Sequence, residues 1–273
     1  MKALTCLFLS MTILSLLFSC GDSPSSSTGK ISIQLTDAPF PSDLISEANV
    51  TIDRIEIRRS DDSDNNPFVT LSVTEHSFNL LELTNGVTEN LVDMEINEGA
   101  YDLIRLYVAE ASVVLSDGTE YDLTVPSGDE TGIKIFIDPS IDVVGGLTTD
   151  LLLDFDVSQS FVVQGDPDSP AGINGFIFTP TIKAVNLSIS GRLVGTITDD
   201  LAQPIEGTLV SVYVFDTLYT STLTDYSGEY AVLGLPAGTY DIVVGHGDYS
   251  SVQFDDVEIT TANATTQDAQ LEK

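Results

Sequence analysis

The chain has 273 residues and a strongly acidic balance, with 42 aspartate and glutamate residues against 10 lysine and arginine residues. Its formal net charge of −32 at pH 7 repels nucleic acid and anionic lipid headgroups, so both are excluded as partners. Hydrophobic residues still make up 42% of the chain, which excludes an acidic disordered tail. Two explanations of the acidity stay open: adaptation to a salty medium, or loops that bind calcium.

The N-terminus has the pattern of a secretory signal. Lys2 precedes an apolar run over residues 3–18, which is too short to span a bilayer comfortably, and Ser19 lies directly before Cys20. The ending Leu17-Phe18-Ser19-Cys20 resembles the lipobox of bacterial lipoproteins. This resemblance implies acylation of Cys20, which would anchor the exported chain to a bacterial membrane, at the periplasmic face of the outer membrane or at the cell surface. An ordinary signal peptide that ends near a cysteine is the alternative.

Cysteine chemistry has no further role in the predicted mature chain. The two cysteines are Cys6, which leaves with the signal peptide (residues 1–19), and Cys20, which lipid would block. The mature chain is then expected to lack disulfides, thiolate nucleophiles and cysteine metal sites. Its 254 residues (273 − 19) are enough for two domains.

A polar tether at residues 20–29 is followed by strand patterns along the whole chain. Alternating apolar residues predict separate strands at residues 103–108, 112–115 and 151–157, among others. Short helical turns near residues 84–92 are the expected exception. We therefore predict an all-β fold: two tandem β-sandwich domains behind a lipoprotein signal peptide.

One predicted strand changes its apolar face midway. Val50 and Ile52 share one parity, whereas Ile55 and Ile57 fall on the other. Because side chains alternate between faces with a period of two, keeping all four residues in the core needs one extra residue. The sequence thus predicts a β-bulge at residues 53–54.

Residues 30–186 resemble an uncharacterised lipoprotein domain of bacteria and archaea. The resemblance rests on six ordered blocks: Thr36-Asp37-Ala38-Pro39, Asn79-Leu80-Leu81-Glu82-Leu83-Thr84-Asn85-Gly86, Gly99-Ala100-Tyr101-Asp102-Leu103-Ile104-Arg105-Leu106, Val125-Pro126-Ser127-Gly128, Thr131-Gly132-Ile133-Lys134 and Leu153-Asp154-Phe155-Asp156. It implies an exported β-sandwich domain and brings no activity with it.

Residues 187–273 resemble the carboxypeptidase regulatory-like domain, a transthyretin-like fold. Strands at roughly ten-residue spacing are joined by two motifs, Thr224-Asp225-Tyr226-Ser227-Gly228-Glu229-Tyr230 and Leu235-Pro236-Ala237-Gly238-Thr239-Tyr240. The wider fold includes carbohydrate-binding modules as well as plain spacers on surface receptors. The resemblance therefore implies either glycan recognition or a structural role.

Tyrosines are the candidate glycan contacts, because the chain has no tryptophan to serve as a flat stacking platform. Tyr226, in a turn, and Tyr249, after Gly245-His246-Gly247-Asp248, are predicted to be exposed and to contact sugar rings. Tyr230 and Tyr240 are predicted to lie in the core. The alternative for the exposed pair is that both are ordinary amphipathic surface residues.

A weak calcium loop is the one candidate metal site. Asp62, Asp64 and Asn66 have the one-three-five spacing of calcium ligands, but Pro67 replaces the usual glycine and Val73 the bidentate glutamate. A helix–loop–helix calcium site is therefore excluded. A looser calcium loop and a solvated hairpin tip both stay open, and no other cofactor is expected.

The sequence contains no convincing catalytic set. Asp154 and Asp156 point to the same face of a strand, but adjacent strand carboxylates form a poor cleft, so we expect them to accept structural hydrogen bonds. Ser127 lacks a nucleophile elbow, and the two histidines, His76 and His246, fall in different predicted domains. The chain is accordingly not expected to be an enzyme.

These observations predict a non-catalytic, lipid-anchored binding protein of the cell envelope or surface. Its expected partners are the lipid bilayer, through acylated Cys20, and a polysaccharide. The alternative is a structural or assembly scaffold that binds an envelope protein.

Overall fold

The computed structural model describes residues 27–39, 44–60, 67–126, 131–167 and 169–273. These residues form two β domains with separate hydrophobic cores, one built from residues between Ile31 and Phe178 and the other from residues between Leu193 and Leu271. The predicted all-β, two-domain sandwich is confirmed.

The first domain contains twelve strands and one helical turn within the described residues. They are β1 (Thr28–Ala38), β2 (Ile45–Arg59), β3 (Phe68–Ser72), β4 (His76–Asn79), β5 (Glu89–Asn97), β6 (Gly99–Leu115), β7 (Glu120–Asp122), β8 (Ile133–Val143), β9 (Thr148–Asp156), α1 (Val157–Ser160), β10 (Phe161–Gly165), β11 (Ile173–Phe178) and β12 (Ile182–Asn186). Short 3₁₀ turns cover Leu80–Glu82, Pro170–Gly172 and, between the domains, Leu187–Ile189.

Two sheets enclose the first core. One has the strand order β12-β9-β1-β5, in which β1 and β9 are parallel. The other has the order β3-β2-β6-β7, with β4 also pairing β2 and β8 also pairing β6. Alternate residues of β1 and β2 point into the space between the sheets, as the apolar patterns predict.

The second domain is a smaller sandwich with eight strands in its described residues. They are β13 (Ser190–Asp199), β14 (Leu209–Val214), β15 (Thr217–Leu223), β16 (Glu229–Pro236), β17 (Gly238–Gly245), β18 (Val252–Ile259), β19 (Ala264–Thr266) and β20 (Ala269–Leu271). One sheet has the order β16-β13-β19, with β20 also pairing β13, and the other has the order β15-β14-β17-β18. Tyr230 and Tyr240 are buried in its core, as predicted.

The predicted bulge in β2 is confirmed. The register between β2 and β6 shifts between Ile52 and Arg54, so Asp53 is the extra residue. As a result Ile52, Ile55 and Ile57 are all buried in the same core.

Two strand predictions need correction. Residues 103–108 and 112–115, predicted as separate strands, belong to the single 17-residue strand β6. The polar residues between them continue the strand because β2, itself 15 residues long, pairs with β6 from Tyr101 to Leu115.

The helical turns predicted near residues 84–92 are also wrong. The 3₁₀ turn lies earlier, at Leu80–Glu82, where the Asn79 side chain accepts a hydrogen bond from the Leu81 backbone N–H. Residues 89–92 instead begin β5, because β1 offers them the unpaired backbone groups of its edge.

Candidate functional site

Several predicted site residues lie outside the described residues. Cys20, the calcium-loop residues Asp62, Asp64 and Asn66, and Ser127 are all in this group. Acylation of Cys20 and calcium binding by the loop therefore stay predictions.

The two predicted glycan-contact tyrosines lie at the same end of the second domain. Leu209 at the start of β14 pairs with Leu223 at the end of β15 and with Gly245 at the end of β17. The turn after β15 carries Tyr226, and the turn after β17 carries Tyr249. Both turns therefore leave the sheet at the same end, on either side of β14. The register thus places two residues that are 23 positions apart in the sequence at the same end of the domain.

Tyr226 presents its ring to solvent from a firmly held turn. Its side chain is 81% exposed. The neighbouring Asp225 Oδ1 accepts hydrogen bonds from the Ser227 N–H at 2.9 Å, the Ser227 hydroxyl at 2.7 Å and the Glu229 N–H at 3.0 Å. These bonds, the Ser227 hydroxyl first, lower the pKa of Asp225, so the turn keeps its charged cap at neutral pH.

Tyr249 differs from the prediction because it is only half exposed. Its ring packs against the second core and lies 5.4 Å from the His246 ring, edge to face. The Lys273 Nζ is 5.3 Å from the centre of the same ring. The loop folds back because the Tyr249 N–H donates to the His246 carbonyl and the Ser250 N–H to the Glu272 carbonyl. Tyr226 is thus the more exposed of the two tyrosine rings.

Leu201, 74% exposed, joins this end of the domain and was missed by the sequence analysis. It follows β13, whose Ile197 N–H donates to the Gly228 carbonyl of the Tyr226 turn at 2.8 Å. Its exposure could have been predicted from its position in the largely polar stretch Asp199-Asp200-Leu201-Ala202-Gln203, which is typical of a loop.

A second set of polar residues lies at the junction between the domains. Asn85, with a φ of 57°, inserts its side chain against β16, an edge strand of the second domain. Its Nδ2 donates to the Glu229 carbonyl at 3.2 Å, and its Oδ1 accepts from the Ala231 N–H at 2.6 Å. Its backbone N–H donates to the Thr222 hydroxyl at 3.1 Å. Among the described residues β16 is an edge strand, so these two backbone groups have no strand beside them to bond. The Asn85 side chain supplies the hydrogen bonds that a neighbouring strand would otherwise make.

Asp154 is buried at the same junction. Its Cα pairs with that of Lys183 across β9 and β12, and Thr220 of β15 lies beside it. Burial raises the pKa of Asp154 to about 6, although the Lys183 ammonium and the Thr220 hydroxyl act in the opposite direction. Lys183 Nζ in turn donates to the Tyr219 carbonyl and lies 4.5 Å from the centre of the Tyr219 ring.

The two strand aspartates thus have structural roles, and they differ from each other. Asp156 caps α1, since its Oδ1 accepts from the Gln159 N–H at 3.0 Å and the Ser158 hydroxyl at 2.7 Å. That use of Asp156 was predicted. The burial of Asp154 beneath another domain was not.

No ready-made metal centre or membrane span is found in the described part of the chain. No three histidine, cysteine, aspartate or glutamate side chains there converge in a way that could hold a metal ion. Nor does any described helix have the length and apolar character to cross a bilayer.

Residues 28–180 match a family described as a domain of unknown function, DUF4382. The match covers more than half of the 273 residues. The chain belongs to the DUF4382 family. Residues 192–272 match the carboxypeptidase regulatory-like domain, so the layout predicted from the two resemblances is confirmed. No curated protein matches the chain.

Several solved structures resemble the chain weakly. A type II cohesin–X–dockerin complex from Acetivibrio cellulolyticus has 19% identity and a TM-score of 0.25, over 30% of this chain and 56% of that chain. The TIE protein of Bacillus anthracis has 10% identity and a TM-score of 0.27, over 92% and 40%. The minor pilin of Streptococcus agalactiae has 10% identity and a TM-score of 0.26, over 89% and 95%. The chain thus spans 56% and 40% of the length of the first two.

The junction joins the two matched regions. The DUF4382 region supplies Asn85 and Asp154, Lys183 follows it directly, and the carboxypeptidase regulatory-like region supplies Thr220 and Ala231. The DUF4382 domain is therefore docked onto its neighbour through hydrogen bonds rather than only joined to it along the chain.

Proposed function

We propose that this protein is a non-catalytic, lipid-anchored protein of the cell envelope or surface that binds polysaccharide. The anchor is acylated Cys20, and the second domain presents the glycan contact. The observation that carries the proposal is the exposed ring of Tyr226 on a turn held by Asp225.

An exposed aromatic ring suits a sugar because one face of a pyranose is apolar. Tyrosine offers such a ring at low cost in side-chain entropy and adds a hydroxyl for polar contacts. The flanking turn is tied by three hydrogen bonds to Asp225, so the backbone that carries the ring is held in place. Tyr249, half-buried at the same end of the domain, extends the contact.

A non-catalytic role is favoured by the positions of the chemically active side chains. His76 lies on β4 of the first domain and His246 after β17 of the second. Asp154 and Asp156 are both buried, and Asp156 accepts the hydrogen bonds that cap α1. The two histidines therefore do not come together in one site, and the two aspartates have structural surroundings.

The test is retention of residues 21–273, which contain both described cores, on a panel of immobilised polysaccharides. We expect Tyr226→Ala to lower retention on the bound polymer about tenfold, equivalent to roughly 1.4 kcal/mol. The matched control is Phe215→Ala, because Phe215 is 95% exposed in the β14–β15 turn at the opposite end of the domain. Equal retention of the two variants would contradict the assigned contact.

The same panel is run with calcium and with a chelator. Retention that survives chelation supports direct contact through the tyrosines, whereas loss on chelation assigns the contact to calcium at Asp62, Asp64 and Asn66. If the wild-type chain is retained by no polymer, the polysaccharide proposal is overturned. A scaffold that binds an envelope protein is then favoured, since hydrogen bonds from Asn85 dock the two domains onto each other.

A further inference from the structure

The outer face of one sheet of the first domain is mostly polar where β4, β2, β6 and β7 lie side by side. Residue pairing aligns two rows of side chains across these strands: Asn79, Asn49, Ser112 and Asp122 in one row, and Ser77, Thr51 and Glu110 in the next. The intervening Ala48, Val50 and Val113 are buried in the core. The alternation therefore fixes this polar set on the outside of the sandwich.

These rows line a groove rather than a flat surface. The groove has a volume of about 590 Å³, within the range of roughly 300–1,000 Å³ that is usual for small-molecule sites. Phe78 and Leu123 add apolar contact, and Glu120 adds a further carboxylate to the lining.

The lining has the hydrogen-bonding groups that saccharides require. The Thr51 and Ser77 hydroxyls lie 2.8 Å apart on the floor, and the Ser112 hydroxyl and the exposed carboxylates of Glu110 and Asp122 lie beside them. Hydroxyl and carboxylate oxygens accept from sugar hydroxyls, and the serine and threonine hydroxyls can also donate to them.

The charge of the groove selects among saccharides. Glu110, Glu120 and Asp122 all line it, and no lysine, arginine or histidine is among its described lining residues. Several basic residues of the first domain form ion pairs elsewhere: Lys30 with Asp93, Arg58 with Asp102, and Arg105 with Glu56. An anionic polymer is therefore repelled, whereas a positive group gains both Coulomb energy and charge-assisted hydrogen bonds.

We propose that this groove binds a glycan that carries ammonium groups, with Glu110 and Asp122 contacting the ammonium groups and the hydroxyl rows contacting the sugar. The inference deepens the proposed polysaccharide binding and rests on it. It adds a second contact surface, on the other domain, and it names the charge of the ligand.

The test compares two oligosaccharides of equal length: a hexamer of glucosamine, which carries ammonium groups, and its fully N-acetylated counterpart, which is neutral. Calorimetry with residues 21–273 is expected to show tighter binding of the glucosamine hexamer. The double variant Glu110→Gln with Asp122→Asn keeps the shape of both side chains, and it should weaken that binding at least tenfold.

The matched control is the double variant Glu89→Gln with Glu258→Gln. Both of these residues are exposed on strands away from the groove, and the same two charges are removed. We expect the control to stay within twofold of the wild type. Both double variants should keep the wild-type melting temperature, because all four side chains are exposed.

The outcomes separate this inference from the proposed function. Equal losses in the two double variants would assign the effect to net charge and overturn the groove, as would equal binding of the two hexamers by the wild type. If the chain is retained by a polymer through Tyr226 but binds neither hexamer, the groove is overturned while the proposed function stands. Retention on no polymer overturns both.

Discussion

Asp154 at the domain junction and Glu110 in the groove are both carboxylates on central strands of the first domain, yet their surroundings are opposite. Asp154 is 8% exposed and has Lys183 and Thr220 beside it. Glu110 is exposed and lies in a groove whose described lining includes no base. The same chemical group is therefore a structural element in one place and a free hydrogen-bond acceptor in the other.

The difference shows where the few basic residues of this chain matter. With 10 lysine and arginine residues for 42 acids, most carboxylates have to rely on solvent. Lys183 is placed beside an acid that solvent does not reach, where an uncompensated charge is most costly. Glu110, which has no base beside it among the described residues of its groove, remains at the surface, where it is available to a ligand.

Removal of the junction base should have the largest effect on stability. Lys183→Met leaves the buried Asp154 without its neutralising partner and removes the contact with Tyr219. We expect a loss of about 3–5 kcal/mol in the free energy of unfolding, measured by denaturant titration at pH 8. The control is Lys134→Met, an exposed lysine on β8, which should change stability by less than about 0.5 kcal/mol. Similar losses in the two variants would contradict the contrast between buried and exposed charge.

The pH dependence of stability should reveal the burial of Asp154. The pKa of Asp154 rises from 3.8 to about 6 on folding, so its stabilising contribution is fully present below pH 3.8 and is lost as the pH rises through 6. Asp154→Asn does not ionise, so its stability relative to the wild type should increase by about 3 kcal/mol between pH 4 and pH 8. The pKa of buried Asp37 is also raised, chiefly by burial and in part by the Asp154 charge, so Asp154→Asn lowers the pKa of Asp37 and changes the pH dependence in the same direction.

Asp225, a carboxylate whose pKa is shifted in the opposite direction, provides a control for this pH dependence. The pKa of Asp225 is lowered, first by the Ser227 hydroxyl, so its contribution is present above the unfolded pKa and is lost as the pH falls. Asp225→Asn should therefore lose stability relative to the wild type as the pH rises. The same trend in both variants would show that the junction carboxylate is not desolvated.

The smallest of the three effects should come from Asn85. Asn85→Gly keeps the left-handed backbone but removes the side-chain bonds to the Glu229 carbonyl and the Ala231 N–H. We expect a loss of about 1–2 kcal/mol by calorimetry. Ala262→Gly is the control, because Ala262 has nearly the same φ, 58°, and its methyl side chain forms no hydrogen bond. If the control loses as much, the Asn85 side chain does not hold the domains together.

Local patterns in the sequence predicted much of this fold. The bulge at Asp53 follows from the parity of four apolar residues, and the burial of Tyr230 and Tyr240 follows from their places in the strand motifs. Predictions that required knowledge of the partner strand were less accurate. β6 is continuous because long β2 pairs with it, and residues 89–92 form a strand because β1 is beside them.

The candidate sites divide in the same way. Exposure of Tyr226 was predictable, since turn residues after Asp225 face solvent. The partial burial of Tyr249 was not, because it depends on a loop that folds back toward the C-terminal strand. The groove was missed because its polar residues come from four strands, and only the register places them in rows.

The sequence by itself determined the β architecture, the order of the two domains and the excess of acid, because strand alternation and composition are local properties. Only the tertiary structure decided which acids are buried. On alternation alone Asp154 faces outward from β9, opposite the core residues Leu153 and Phe155. That outer face is covered by β15 of the second domain. Asp154, which the alternation predicts to be exposed to solvent, therefore lies in the protein interior. The contact joins residues 66 positions apart, and no local pattern encodes it.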